Sequence, residues 1–296
     1  MTANTNKKNA LVILTNEAFL PKGGRGRFRS FEGQQWATVH DPAEDPNNEN
    51  NNENENEDEL EQAFTRTHRL TGIDALEVGY FWLTLRKHLN MNVTFCSPRG
   101  GAVAVDPSSF EMAERDEKLQ SKIRNDKEFM AKLTHTYPIK WIDPTKFDLC
   151  LIPGRHGALF DLPECRTVEE CIEQIWQNDG YVCAIGHGVA ALLNVKSSKH
   201  GEYFLKNKRV TCFTNAEEKE KRFDDFLPYS LEEKVKERGA HLDNTKPYTP
   251  HVVVDKENRV ITAQSSPSIK EFMKRICETC TTSQGKNIDM DSMRWD

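Results

Sequence analysis

The chain has 296 residues, of which 37% are apolar and 29% charged, with a net charge of −6. That length holds one large α/β domain or two small ones, and the acidic balance argues against a nucleic-acid binder. No run of about eighteen apolar residues is present, so no membrane span is expected.

Met1 to Ala10 is polar, and the apolar stretch Ala10 to Leu14 is too short for a signal-peptide core. A cytoplasmic, reducing setting is therefore the expectation, with endosomal or unconventional secretion left open. Ala10–Leu14 reads instead as a first buried strand. Pro21 to Arg69 then breaks the pattern. It opens with a basic Gly/Arg run and becomes an Asn/Glu tract in which Asp41 to Gln62 carries ten acids and no Lys or Arg; taking those ten from −6 leaves +4 on the rest of the chain. Such a tract has too little apolar surface to offset chain entropy, so residues 21–69 are expected to be a disordered insertion.

Ala75 to Leu89 has helical periodicity, Val93–Ser97 reads as a strand, and Ser108 to Lys132 suits one long charged surface helix, with Asp126 and Lys127 on its exposed side. Strands follow at Phe147–Ile152, Tyr181–Ile185, Arg209–Phe213, His251–Asp255 and Val260–Ala263. Helical patterns cover Thr167–Asn178 and Pro267–Cys280, and residues 283–296 read as a loose tail. Strands alternating with helices imply a parallel sheet covered on both faces, with ligands at the carboxyl ends of the strands. The expected organisation is one domain over 9–282. Four of the eight cysteines (Cys96, Cys150, Cys183, Cys212) lie in strand-like runs and read as buried thiols, and Cys277–Cys280 lacks a second pair to complete a zinc site. No metal and no cofactor is expected.

Three features point to chemistry. Tyr181 to Ile185 runs into Gly186-His187-Gly188, after which Val189 opens a helical stretch. This is the layout of a nucleophile elbow, whose sharp turn lifts one side chain beside backbone N–H groups. The residue at its tip is Gly186, which tolerates the strained turn and cannot attack. Leu151-Ile152 runs into Pro153-Gly154-Arg155-His156-Gly157, a glycine-punctuated loop whose N–H groups could face the elbow as an oxyanion hole. Glu77 is a lone carboxylate in the apolar stretch Ala75 to Trp82, which is costly unless it is paired or at the rim of a site.

These residues resemble the PfpI-type, class I glutamine amidotransferase-like superfamily, which includes chaperone, glyoxalase and deglycase members. Its members carry Pro-Gly-Gly-His-Gly after one strand, Ala-Val-Cys-His-Gly-Pro at the elbow and a Glu on the first helix. Here these become Pro153-Gly154-Arg155-His156-Gly157, Ala184-Ile185-Gly186-His187-Gly188-Val189 and Glu77. The likeness extends over Ser97–Gly101, Asp106-Pro107, Val210–Glu218, Pro228–Glu233 and Arg238–Ala240. It implies a flavodoxin-like α/β fold and a homodimer. The nucleophilic cysteine maps to Gly186, the second loop glycine to Arg155 and the elbow proline to Val189. Within the superfamily this elbow is similar to that of glutamine amidotransferase-like class 1 domain-containing proteins, which also lack the cysteine.

By that resemblance the catalytic positions are Glu77, His187 and an acid that orients His187, taken as Glu217 with its neighbour Glu218 as the alternative. Gly154, Arg155, His156 and Gly157 are the ligand-binding set, with Arg155 proposed to hold a small carboxylate or phosphate. Cys183 lies on the strand three residues before the tip and should point into the sheet, so it does not replace the missing thiol. Two functions follow. The first is a catalytically degenerate member that binds an anionic metabolite or a protein partner, with His187 a relic. The second is a cysteine-independent glyoxalase or deglycase acting on small aldehydes such as methylglyoxal through Glu77 and His187.

Overall fold

The computed structural model describes residues 7–21, 68–111 and 117–281. The strands are β1 (Asn9–Ile13), β2 (Phe19–Pro21), β3 (His68–Leu70), β4 (Asn92–Ser97), β5 (Tyr137–Pro138) and β6 (Leu149–Ile152). They continue with β7 (Tyr181–Ile185), β8 (Arg209–Val210), β9 (His241–Leu242), β10 (Val252–Asp255) and β11 (Val260–Ala263). Seven of them form one sheet in the order β10-β11-β7-β6-β1-β4-β5. All neighbours are parallel except β10 and β11, a hairpin that closes one edge.

The central strands are apolar without alternation because both faces of the sheet are covered. From β1, Ala10 and Val12 enter one core and Leu11 and Ile13 the other. The first core packs against α1 (Ala75–Leu83), α3 (Glu117–Asn125), α4 (Lys127–Thr134) and α8 (Ile269–Thr281), through Val78, Phe81, Ile123, Phe129 and Phe272. The short α2 (Ser108–Glu111) precedes α3. The second core packs against α5 (Arg166–Gln177) and α7 (Leu231–Glu237), through Val168, Ile172, Ile175, Leu231 and Val235. The sheet order reverses at β1: β4 lies to one side and β6 to the other, which opens a crevice at the carboxyl ends where the loops after β6 and β7 meet. No helix among the described residues is long and apolar enough to cross a membrane.

The flavodoxin-like parallel sheet is therefore present, with four local departures. Ser108–Lys132 is not one helix. Asp126 interrupts it by capping α4, accepting from the Phe129 N–H at 2.9 Å, and its other oxygen accepts from the Trp82 indole at 2.9 Å. A carboxylate that caps one helix and anchors a buried indole does not sit on the outer side of a continuous helix. Arg209–Phe213 gives only two strand residues, which pair with β9 in a separate small sheet. The stretch after the elbow, Gly186–Leu192, is a tight 3₁₀ turn. Pro21 and His68–Arg69, at the ends of the expected insertion, form the antiparallel ribbon β2–β3. The rest of that expectation, and the tail at 283–296, lie outside the described residues.

Candidate functional site

Two helix starts and two loops build the site. At the first start, Asp74 caps α1: its Oδ1 accepts the Leu76 and Glu77 N–H groups, both at 3.0 Å. The cap leaves the Glu77 side chain free to reach the loop after β6. The Gly154 N–H donates to Glu77 Oε2 at 2.7 Å and the Ser266 hydroxyl to Oε1 at 2.7 Å. Glu77 is 2% exposed. Burial, then the Asp74 charge, push its carboxyl up to about 8, against those two hydrogen bonds and the Arg155 charge.

The loop after β6 turns on Arg155, whose φ of +91° belongs to the region that favours glycine. The guanidinium stabilises this conformation from inside. Its Nε lies 2.9 Å from Asp74 Oδ2 and 3.9 Å from Asp106, and another of its nitrogens donates to the Ser108 hydroxyl at 3.1 Å. Arg155 thus joins the first helix start to the loop, and its charge is matched inside the protein. It lines the pocket but is not an unpaired anion receptor. Two N–H groups of this loop are engaged as well: the Gly154 N–H holds Glu77, and the Gly157 N–H donates to the Thr71 hydroxyl at 3.2 Å.

The elbow has the expected geometry. Gly186 has φ +56°, and a Cβ there would meet its nearest neighbours at 3.8–4.0 Å, ordinary contact distances. Room for a side chain therefore remains at the tip. Gly188 is different: a Cβ would sit 2.4 Å from the Ile152 carbonyl oxygen, so the two loops approach closely only because this residue is glycine. Cys183 is fully buried in the first core, as expected.

The second helix start, α6 (Asn215–Lys221), corrects one assignment. Thr214 caps it, and Glu217 closes a capping box by accepting the Thr214 N–H at 2.9 Å. The other Glu217 oxygen accepts from the Tyr248 N–H at 2.9 Å and the Ser265 hydroxyl at 2.7 Å. Glu217 is a fastener of loops and does not reach His187. Glu218 does: its Oε1 lies 2.6 Å from His187 Nε2 and its Oε2 2.9 Å from His156 Nε2. The His187 ring stacks on Phe213 at 4.3 Å and the His156 ring on Phe223 at 4.2 Å. Arg69 of β3 covers the outer face of that wall, 4.9 Å from the Phe223 ring.

Burial disfavours charge on Glu218, yet the two histidines overcome it and hold the carboxyl below its ordinary range. Burial and the His187 charge push His156 down to about 4, against Glu218, so His156 is neutral near pH 7. His156, His187 and Glu218 also bring three ligand-type atoms within 4.8 Å of one another. A divalent cation there would have to displace both histidine–carboxylate hydrogen bonds.

These groups enclose a narrow pocket of about 20 Å³, room for one or two water-sized groups. Glu77, Gly154, Arg155, His156, Gly186 and His187 line it, together with Phe213, Lys221, Ser265 and Ser266. Gly157 does not. Ser266 and Lys221 escaped the sequence reading. Lys221 stands three residues after Glu218, on the same helical face, and that spacing was the available signal.

A family model described as DJ-1/PfpI family matches residues 70–279. Glutathione-independent glyoxalase hsp3102 of Schizosaccharomyces pombe is 28% identical over 62% of this chain and 79% of its own. Glyoxalase 3 of Candida albicans is 25% identical over 48% of this chain and 61% of its own. Glutamine amidotransferase-like class 1 domain-containing protein 1 of Bos taurus is 28% identical over 47% and 62%. The last two matches span less than two thirds of those relatives. Among solved structures, Rapid Encystment Protein 24 KDa of Francisella tularensis has a TM-score of 0.69 at 24% identity, covering 92% of this chain and 98% of that one. Glyoxalase III of Candida albicans has a TM-score of 0.67 at 18% identity, covering 92% and 97%. The two structures share the fold. With the family match running from the end of β3 through α8, the chain belongs to the DJ-1/PfpI family.

Proposed function

We propose that this protein converts small 2-oxoaldehydes to 2-hydroxy acids without a thiol at the elbow; several of its relatives are named as glyoxalases. The observation that carries this reading is Glu77: a buried carboxyl at the pocket, held by two donors, whose proton affinity lies close to neutral pH. A group in that range both takes and returns protons efficiently.

The chemistry balances with water as the only co-reactant. Water adds to the aldehyde carbon while His187, oriented by Glu218, takes one of its protons, which leaves the monoanion of the geminal diol. Ionised Glu77 removes the hydrogen on that carbon. The electron pair moves toward the neighbouring carbonyl, forming an enediolate. The same carboxyl, now protonated, returns the proton to the second carbon as the diol carbon becomes the carboxyl carbon, and His187 returns its proton to the oxygen on the second carbon. The product is an isomer of the hydrated aldehyde, so no oxidant or reductant is required. Hydration takes the part that a thiol addition would take at an elbow carrying cysteine, which is why Gly186 does not by itself abolish the route.

The test is loss of methylglyoxal with formation of lactate by purified protein, beside Glu77→Gln and His187→Ala. Turnover by the wild type that falls at least about 10²-fold in Glu77→Gln is expected. A folded but inert wild type overturns the reading. The second reading, binding without turnover, would then stand on Gly186. The same proposal takes the family domain as one unit in a cytoplasmic homodimer, which sedimentation velocity checks.

A further inference from the structure

The sequence placed the pocket's anion receptor at Arg155, and the structure engages that guanidinium with Asp74, Asp106 and Ser108. A second cation lines the same pocket. Lys221 is the last residue of α6, one turn beyond Glu218, and is half-buried beside Glu77, Gly186, His187 and Ser266. Among the described residues Lys221 makes no ion pair within 4.0 Å. The carboxylates around the pocket are already committed: Asp74 to Arg155, Glu77 to Gly154 and Ser266, Glu218 to the two histidines. An ammonium held in a narrow, partly desolvated pocket without an ion-pair partner is the group that an incoming anion would satisfy.

We propose that Lys221 is the ligand-binding cation of this pocket, and that it holds the carboxylate of a small 2-hydroxy acid. The inference rests on the proposed function, in which such an acid is the product. The charged groups that act on Lys221 are Arg155, Asp106, Asp74 and Glu218. Burial first, then Arg155, lower its proton affinity, while the three carboxylates oppose them. A carboxylate ligand adds one more opposing charge, so binding should be accompanied by tighter retention of the lysine proton. The role also gives α6 two functions separated by one turn: Glu218 sets the histidines, and Lys221 meets the ligand.

Calorimetric titration of L- and D-lactate, with lactamide as the uncharged analogue, into wild type, Lys221→Met and Lys221→Arg tests this. Lactate lacks a carbonyl that could condense with the amine, so the readout is ionic. Expected is binding of at least one lactate enantiomer, at least tenfold weaker binding in Lys221→Met, retention within a few-fold in Lys221→Arg, and at least tenfold weaker binding of lactamide to wild type. Equal lactate binding by wild type and Lys221→Met, equal binding of lactamide, or no lactate binding by wild type overturns the inference. Thermal midpoints of both variants show whether the fold is retained, and the arginine variant carries the test if the methionine variant does not fold. Turnover of methylglyoxal is scored separately. Lysine-dependent lactate binding without turnover keeps this inference and removes the glyoxalase reading. Turnover with lysine-independent lactate binding does the reverse.

Discussion

The two helix starts that supply acids to the pocket solve the same problem differently. At α1 the cap is Asp74, which satisfies the N–H groups of Leu76 and Glu77 by itself and leaves Glu77, three residues on, free for the site. At α6 the cap is Thr214, whose smaller side chain works with Glu217, again three residues on, in a reciprocal box. Glu217 is thereby committed to the backbone, and the following acid, Glu218, reaches the histidines. The choice of cap decides which acid is held by the backbone and which is left to reach other side chains. The surroundings then separate the two carboxyls. Burial first, and then the Asp74 charge, push Glu77 up; the two histidines hold Glu218 down against its burial. In the proposed function one helix start supplies a proton carrier and the other a fixed negative charge, the division expected of an acid–base site.

The largest expected effect tests that division. Glu77→Gln should cost at least about 10²-fold in turnover while making the protein more stable above neutral pH. Between pH 4.5 and about 8 the native state holds a proton on Glu77 that the unfolded chain has released. Its contribution to stability therefore falls as pH rises across that window. Each pKa unit is worth about 1.4 kcal/mol, so the stability of wild type relative to Glu77→Gln should drop by a few kcal/mol from pH 5 to pH 8. Taking the difference removes other titrating groups such as His156 and Asp161, which is also raised. A flat difference in urea unfolding midpoints across that range would mean that Glu77 is not a raised carboxyl.

Next in size is the contrast between neighbours. Glu218→Gln removes the charge that two buried histidines face, and turnover should fall about 10²-fold with a stability loss of about 1–3 kcal/mol. Glu217→Gln turns an amide toward donors at Thr214, Tyr248 or Ser265. It should lose a similar stability, about 1–3 kcal/mol, yet keep turnover within a few-fold. Kinetics and thermal melts of both variants decide. Equal losses of turnover would dissolve the distinction between fastener and functional acid.

This contrast also marks where the sequence stopped being readable. The sheet was legible because buried parallel strands are continuous apolar runs, and Tyr181–Ile185 and Val260–Ala263 fall where the pattern puts them. Glu77 stood out because a lone acid in an apolar helix needs a reason. Gly186 stood out because a strand ran into Gly-His-Gly. Glu217 and Glu218 could not be ordered from composition, since the outcome turns on hydrogen bonds to Tyr248 and Ser265, about thirty residues or more away in the chain. Arg155 looks like a ligand-facing cation in the sequence because its partners Asp74 and Asp106 lie far from it in the chain. The Ser108–Lys132 helix was overextended for a similar reason: Asp126 ends one helix and begins another only because Trp82 and Phe129 both bind it.

The smallest expected effect, Gly186→Cys, sharpens the comparison most. The Cβ has space, and a non-glycine residue at φ +56° costs about 1–2 kcal/mol, so the variant should fold with a modestly lower melting point. The new thiol would lie beside His187, on the side of the pocket governed by α6. Iodoacetamide should label it far faster than Cys150 or Cys183, which are fully buried. Adding Glu218→Gln should slow that labelling, because the histidine that favours the thiolate loses its anionic partner. Adding Glu77→Gln should leave labelling within a few-fold and still abolish turnover, because on the proposed route Glu77 handles the carbon-bound proton whichever nucleophile adds first. If Glu77→Gln slowed labelling as much as Glu218→Gln, the two acids would be acting on one proton, and the site would hold a single coupled network instead of two separable tasks.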